Sequence, residues 1–407
     1  MFKKSLIAIA ALGAFAGSAM AADITISGRI DTGLNFHDWE YKALGEVVED
    51  SNQFQMKAGQ YSGSRVTIKG SEELGNGMKA GFVLENGFTG DDGKMGQSGR
   101  LFGREAIVYL EGDFGHFSMG RVGALSSGVG SYSLVYGFTP WGTGWGDYAG
   151  AKGQFMIGDR DRFDNTVTYR SPEFAGAQVF AQYSFQADGA EDDQTTHNKR
   201  YAGLGATYKL GAFSTGIVVD TIMNKATGAD STEANTEDSL GVSWGASYDL
   251  GVTKPMILVQ YGKNETTLGG FGAGDLYYFE DNIRNFTNEG ITGYAVSLGA
   301  VTPLFGGNLY TSVSYTDGEF EGDATSQWYD AGNKKWLASD RVYDGDIQRW
   351  GIAVGYDYPL SKRTKVYGFA AYNEGELKGT ETLNGKDTSG KLEQTDIEAG
   401  VGLIHYF

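Results

Sequence analysis

The amino-acid sequence predicts an all-β protein: a closed, antiparallel transmembrane β-barrel of sixteen strands that occupies residues 22–407. Three observations support this prediction. Apolar and polar residues alternate along many short segments, these segments are joined by connections that alternate between short and long, and the chain stops on an aromatic residue. All three are typical of a barrel with lipid outside and water inside.

Residues 1–21 differ from the rest of the chain. Lys3 and Lys4 precede an apolar run from Leu6 to Ala16, and the small-residue pattern Ala19-Met20-Ala21 follows it. This order is typical of a secretory signal peptide, here cleaved before Ala22. The apolar run is too short to cross a bilayer as a helix. We therefore expect an exported protein.

Composition narrows the class of protein further. Glycine accounts for 63 of 407 residues and aromatic residues for 13%, but there are only 5 prolines, so the glycine content does not indicate disorder. The absence of cysteine excludes a disulfide framework. The net charge of -18 resides mainly in the long polar connections and argues against a nucleic-acid partner, whose phosphates require a basic surface.

Alternation with a period of two begins directly after the signal peptide. Ile24 and Ile26 fall on one face of the first strand, and Thr25 and Ser27 fall on the other. We expect the apolar face to contact lipid and the polar face to line the lumen. The pattern recurs later in the chain, with Val242, Ile352 and Val354 on the predicted lipid face and Ser243 and Gly351 on the predicted lumen face.

The connections decide the number of strands. Seven are short and rich in turn residues, at 73–77, 112–115, 171–176, 209–211, 249–251, 303–307 and 359–362. Eight are long and polar, at 38–53, 89–100, 122–161, 187–199, 223–238, 265–289, 318–346 and 375–394. Fifteen connections predict sixteen strands, with short periplasmic turns and long external loops.

Several strand ends on the apolar face are aromatic, as with Trp350 and Tyr356. Aromatic rings favour the membrane interface, although they also favour strands in general. The last strand runs from Ala399 to Phe407 and ends there. This ending supports a barrel in which the final strand closes the sheet.

Five stretches and the end of the chain resemble one family. The stretches are SGRIDTGL from Ser27, SRVTIKGSEELGNGMKAGF from Ser64, FGREAIVYLEGDFGHFSMGR from Phe102, DNTVTYRSPEFAGAQVFAQYS from Asp164 and, more weakly, SKRTKVYGFAAY from Ser361, with VGLIHYF at the end. Together they resemble the general Gram-negative porins of the neisserial and comamonad type. The resemblance implies an outer-membrane homotrimer whose third external loop folds inward. It also implies contact with outer-membrane lipid and lipopolysaccharide, and makes Phe407 a signal for the outer-membrane assembly machinery.

The stretch 122–161 is the longest interruption of the strand pattern, which suits the constriction loop that the resemblance implies. The resemblance also places three arginines on the facing wall: Arg65, Arg104 and Arg162. Lys69 and Arg29 extend this basic wall. The loop carries the acidic and aromatic candidates Asp147, Asp159, Asp161, Trp141 and Trp145.

The function expected from these features is passive diffusion of small polar solutes and ions, biased by the charge of the arginines. No cofactor, metal or enzymatic activity is expected, because the four histidines stand outside any catalytic motif. Two alternatives remain open. A saccharide-selective channel would use Trp141 and Trp145 as a stacking surface, and a surface adhesin would use the acidic loops.

Overall fold

The computed structural model describes residues 23–43, 45–150, 158, 160–192, 197–224, 237–269, 271–272, 283–330, 335–383 and 386–407. The predicted signal peptide, residues 1–21, and the predicted site residue Asp159 lie outside the described residues. No helix in these ranges is long and apolar enough to cross a membrane.

The described chain is built almost wholly of strands. They are β1 (Asp23–Ala43), β2 (Glu46–Ala58), β3 (Arg65–Gly75), β4 (Met78–Gly87), β5 (Glu105–Gly112), β6 (Gly115–Gly123), β7 (Arg162–Arg170), β8 (Ala177–Ser184), β9 (Arg200–Leu210), β10 (Phe213–Met223), β11 (Leu240–Tyr248), β12 (Lys254–Glu265), β13 (Thr267–Leu268), β14 (Phe271–Gly272), β15 (Ile283–Leu304), β16 (Gly307–Asp330), β17 (Lys335–Pro359), β18 (Thr364–Leu383) and β19 (Lys386–Tyr406). The connections contain a short turn at Gly96–Gly99, in which Gln97 and Ser98 have positive φ angles, and a single 3-10 turn at Tyr136–Phe138.

Sixteen of these strands form one closed antiparallel ring. Each pairs with the next, and the ring closes where β19 pairs with β1, from Arg29 opposite Tyr406 to Ala43 opposite Leu392. The first part of β1, from Asp23 to Arg29, pairs with β3, and its second part, from Thr32 to Ala43, pairs with β2. The strand β2 runs back alongside β1 and forms a hairpin arm with it. The short hairpin of β13 and β14 forms a separate sheet. The predicted barrel of sixteen strands is therefore confirmed.

The two faces of the barrel follow the alternation in the sequence. Ile24, Ile26, Ile352 and Val354 are all exposed, although they are large and apolar. In a membrane barrel these exposed side chains meet lipid. The polar Ser243 is buried on the opposite, inner face. The prediction for Val242 is consistent with the exposure of Trp244, which lies on the same face of β11.

Several predicted external loops are strand extensions instead. The stretch 38–53 forms most of the β1–β2 hairpin, and 318–346 and 375–394 lie largely within the β16–β17 and β18–β19 hairpins. These arms extend past the apolar band, and Phe320, Leu377 and Leu392 on them are buried in an apolar cluster. Polar residues and glycine dominate the rest of these stretches, so the strands resemble loops in sequence.

Candidate functional site

The connection between β6 and β7 packs on the inner face of the barrel. Its residues Leu134, Phe138, Pro140 and Trp141 each lie over a glycine of the wall. These glycines are Gly216, Gly245, Gly299 and Gly355, on four different strands. Each is next to an exposed apolar residue of its own strand, which shows that the glycines face inward. A Cβ atom at Gly355 would come within 2.8 Å of both Trp141 and Trp145. These positions explain part of the high glycine content.

Polar contacts fix the same segment at its middle. The indole Nε1 of Trp141 donates a hydrogen bond to the Ser312 hydroxyl at 2.7 Å. The backbone N–H groups of Trp145 and Gly146 donate to the carbonyl of Gln60. Trp141 and Trp145 are 3% and 2% exposed. Their rings therefore serve as packing anchors and present almost no surface to the lumen.

Arg65 and Arg104 converge on the opposite wall, beside β3 and β4. Their guanidinium groups meet above Gly63, where a Cβ atom would lie 3.2 Å from Arg104 and 3.9 Å from Arg65. Both contact the same carboxylate oxygen of Glu85, at 2.8 Å from Arg104 and 3.4 Å from Arg65. Two cations thus share one anion. Glu85 was not among the predicted residues, although it lies directly opposite Thr67 in the β3–β4 register.

Arg29 belongs to the same basic wall. It lies directly opposite Arg65 in the β1–β3 register, and it donates a hydrogen bond to the Ser62 hydroxyl at 2.9 Å. The Ser62 hydroxyl also accepts a hydrogen bond from Arg65 at 3.3 Å. Lys69 lies on β3 and is exposed. In the part of the chain that the structure describes, Lys69 has no carboxylate within 4.0 Å.

Arg162 begins β7 and lies close enough to act electrostatically on Arg65, as Arg29 and Arg104 also do. Its own partner is the adjacent Asp161, whose two carboxylate oxygens lie 2.9 and 3.1 Å from the guanidinium. The charge of Asp161 is therefore balanced by the neighbouring Arg162. Arg162 contributes less uncompensated charge than Arg65 and Arg104 do.

Asp147 faces a different partner from the one expected. Its carboxylate lies 2.6 Å from the ammonium of Lys57 on β2. Next to it, Glu398 of β19 accepts hydrogen bonds from the backbone N–H groups of Asp147 and Tyr148, at 2.9 and 2.8 Å. Lys57 also lies 3.4 Å from Glu398, so the two carboxylates share one cation. That Asp147 opposes the arginines stays a prediction.

A buried cluster around Arg160 was missed by the sequence analysis. The guanidinium lies 2.6 Å from Asp220 of β10 and 2.6 Å from Glu265 of β12, and all three side chains are at most 4% exposed. Burial alone lowers the pKa of Arg160, but the two carboxylates raise it above its ordinary value. Asp220 also accepts hydrogen bonds from Tyr201 and Ser126. This cluster attaches the end of the segment to the wall.

A closed barrel with an apolar outer face, a polar inner face and a connection packed inside defines an outer-membrane channel. The similarity of the chain to known proteins agrees with this class of protein. The Gram-negative porin family matches residues 8–378, and the chain belongs to this family. It is a porin of the Gram-negative outer membrane, and small hydrophilic solutes diffuse passively through it.

Known proteins of several genera are similar to this chain in sequence or in fold. An outer membrane porin protein of Bordetella pertussis is 29% identical over 402 residues, which is 91% of this chain and 94% of that protein. Outer membrane porin protein 32 of Delftia acidovorans is 29% identical over the full length of both chains. The solved anion-selective porin from Comamonas acidovorans has a TM-score of 0.58 at 24% identity, covering 95% of this chain and 100% of that one.

Proposed function

We propose that the segment Ala124–Gly150 narrows the pore and that the basic wall of Arg29, Arg65 and Arg104 makes the passage favour anions. The observation that supports this proposal most directly is that Arg65 and Arg104 share the single carboxylate of Glu85. Arginine stays protonated at all ordinary pH values, so the wall keeps a permanent positive excess. In a narrow channel, fixed charge biases which ions enter.

The two acidic residues of the loop that the structure describes contact other cations. Asp147 is paired with Lys57, and Asp161 is paired with the neighbouring Arg162. Lys69 adds a further exposed cation on the same strand as Arg65. The solved Comamonas acidovorans protein with this fold is described as anion-selective, which agrees with the sign proposed here.

The test is a reversal-potential measurement on the full protein in a planar bilayer, across a tenfold gradient of potassium chloride. We expect a potential of the sign given by chloride passing more readily than potassium. Liposome swelling with uncharged sugars of graded size should show a rate that falls smoothly with size and does not saturate. A cation-selective potential would contradict the proposed role of the wall.

The saccharide-selective alternative is not favoured, because the rings of Trp141 and Trp145 are buried against Gly355 and Tyr310. A sugar track requires exposed aromatic faces. The adhesin alternative would be supported only by a barrel that does not conduct. We propose a passive channel without enzymatic activity, cofactor or metal.

The same proposal includes the partners of the protein. We propose that it forms a homotrimer in contact with outer-membrane lipid and lipopolysaccharide, and that the outer-membrane assembly machinery inserts it. Phe407 would be the signal for insertion. Its backbone N–H and C=O pair with Gly28 at 3.1 and 3.0 Å, and its ring lies over Gly28. Deleting Phe407 should lower the yield of inserted protein and leave the conductance of each inserted channel unchanged. A normal yield would contradict this role.

A further inference from the structure

The short hairpin of β13 and β14 packs against the inner wall of the barrel. Leu268 of β13 and Phe271 of β14 are fully buried. The Leu268 side chain covers two glycines on neighbouring strands, Gly293 of β15 and Gly318 of β16, since a Cβ atom added at either would strike it. Phe271 covers Gly375 of β18 in the same way. The hairpin therefore occupies the lumen side of the wall from β15 to β18.

The hairpin lies nearer the outside of the cell than the centre of the segment Ala124–Gly150 does. β16 starts at a short turn, and short turns are periplasmic in such barrels, so residue numbers along β16 rise toward the external end. Trp141 donates its hydrogen bond to Ser312 of β16, whereas Leu268 covers Gly318, six residues or about 20 Å further along the strand. The hairpin therefore lies in the outer vestibule.

Apolar side chains of the surrounding strands enclose the hairpin. Five of them, from β15 to β19, are buried in the same apolar cluster as Leu268 and Phe271: Ile291, Phe320, Ile347, Leu377 and Leu392. The inner face of a water-filled barrel normally carries polar side chains. A buried apolar core at this height therefore shows that protein, and not water, fills this side of the outer vestibule.

Arg349 of β17 holds the hairpin in place. Its buried guanidinium donates a hydrogen bond to the carbonyl of Gly269 at 2.9 Å and lies 2.7 Å from the carboxylate of Asp396. The same group lies 5.8 Å from the ring centre of Phe271 in the hairpin and 5.9 Å from that of Tyr148 in the inward segment. Both are cation–π distances. Arg349 is therefore a positioning residue that joins the hairpin, the wall and the inward segment.

The barrel is high on the side of the hairpin and low on the side of Arg65 and Arg104. β15 to β19 have 20 to 25 residues each, whereas β3 to β8 have 8 to 11. Both sets meet at the short periplasmic turns, so the difference in length lies at the external end. Arg65 begins β3 at that end, and Arg104 directly precedes β5. These two arginines therefore lie at the low rim of the barrel.

We propose that the β13–β14 hairpin closes the high side of the outer vestibule and directs ions and small solutes down the low side, past Arg65 and Arg104. Fixed charges act on ions over short distances only, because salt screens them within about 8 Å at physiological ionic strength. A path confined to the low side keeps passing ions within this range, whereas an open vestibule would let them pass farther away. The inference rests on the proposed anion preference of the basic wall and adds the element that confines the path.

Two variants of the full-length protein loosen the hairpin. The double variant Leu268→Ser and Phe271→Ser removes both of its apolar contacts with the wall. Arg349→Lys keeps a positive charge beside Asp396, but a single ammonium lacks the planar fork that also reaches the Gly269 carbonyl. Arg349→Lys should therefore loosen the hairpin less than the double variant does.

The matched control makes the same exchanges at exposed positions of two periplasmic turns, Leu250→Ser with Phe305→Ser. Because the chain has no cysteine, a single introduced thiol reports whether a water-borne reagent reaches its position. Ile347→Cys lies directly opposite Gly318 in the β16–β17 register, beneath the hairpin, and Lys69→Cys lies exposed on β3. Each thiol is treated with an anionic methanethiosulfonate reagent, and mass spectrometry measures the labelled fraction.

We expect the reagent to label Lys69→Cys in every background, and Ile347→Cys only where the hairpin is loosened. Labelling of Ile347→Cys should be greater in the double variant than in Arg349→Lys. Across a potassium chloride gradient, the reversal potential should shift toward zero in the same order, since ions then pass farther from the arginines. The control should match the wild type in both measurements.

Ready labelling of Ile347→Cys in the otherwise wild-type protein would overturn the inference, because the high side would then be open. An anion-selective wild type whose reversal potential both loosened variants keep would overturn it as well. A cation-selective wild type with a protected Ile347→Cys would instead contradict the proposed role of the basic wall and support the closure of the high side. If the double variant does not insert, Arg349→Lys decides by the same two measurements.

Discussion

Two arginine clusters lie on different sides of the barrel, one around Arg160 and the other around Arg65 and Arg104. They differ in the ratio of arginines to carboxylates. Arg160 contacts two carboxylates, Asp220 and Glu265, and is 4% exposed. Arg65 and Arg104 contact one carboxylate, Glu85, and are 16% and 9% exposed. One cluster has an excess of negative charge and the other an excess of positive charge.

The difference shows why residue type alone does not define the role of a charge. The Arg160 cluster is buried and its charged groups are joined by hydrogen bonds, so it fixes the loop end in place. The Glu85 cluster leaves one positive charge uncompensated beside the lumen. In confined, partly desolvated surroundings that charge acts strongly on passing ions.

Arg160→Met should have the largest effect on stability. It leaves Asp220 and Glu265 buried without their cation, and breaking such a pair costs about 3–5 kcal/mol. Arg100→Met is the matched control, because it breaks an ion pair whose arginine is 44% exposed and worth about 0–1 kcal/mol. Urea unfolding in lipid vesicles measures both. Similar losses of unfolding free energy in the two variants would show that the Arg160 cluster stabilises the fold no more than an exposed ion pair does.

Glu85→Gln should have an intermediate effect, on selectivity. It removes the one carboxylate shared by Arg65 and Arg104, so the positive excess of the wall rises. The reversal potential should move toward stronger anion preference. Glu73→Gln removes an exposed carboxylate near the periplasmic turn, paired with Lys79 at 3.1 Å, and should leave the potential unchanged. A shift toward cations in Glu85→Gln would contradict the account.

Asp147→Asn should have the smallest effect. The Asp147 side chain is 64% exposed and lies beside Lys57, so water screens most of the change. We expect a shift toward anions smaller than that of Glu85→Gln, in the same bilayer measurement. Asp113→Asn, in the turn between β5 and β6, serves as the control. A shift larger than that of Glu85→Gln would place Asp147 at the narrowest point after all.

The sequence predicted the barrel well, because each membrane strand records its two environments in alternate residues. Ile24 and Ile26 are exposed as expected, and the seven short turns separate the strands as counted. The hairpin arms were taken for loops because polar residues and glycine dominate their sequence, although Phe320, Leu377 and Leu392 on them are buried. Only pairing partners far along the chain distinguish a polar arm from a polar loop.

The site was predicted in part. Arg65 and Arg104 meet as the family resemblance implied. Glu85 could not have been found by counting the β3–β4 register from the turn at Asn76-Gly77, because an irregularity between Glu73 and Gly75 shifts the register by one residue and the count would place Asn86 opposite Thr67. Arg160 could not have been found from a local pattern either. Its partners lie 60 and 105 residues further along the chain, and the packing of the loop, not any local pattern, brings them together.

The central claim, that the arginine wall governs selectivity, is tested most directly by the reversal potential of the double variant Arg65→Ser and Arg104→Ser. The account predicts a clear shift toward cations, larger than the shift from neutralising the exposed outer-loop pair Asp91 and Asp92. A double variant that folds and conducts, yet keeps the wild-type reversal potential, would contradict the claim.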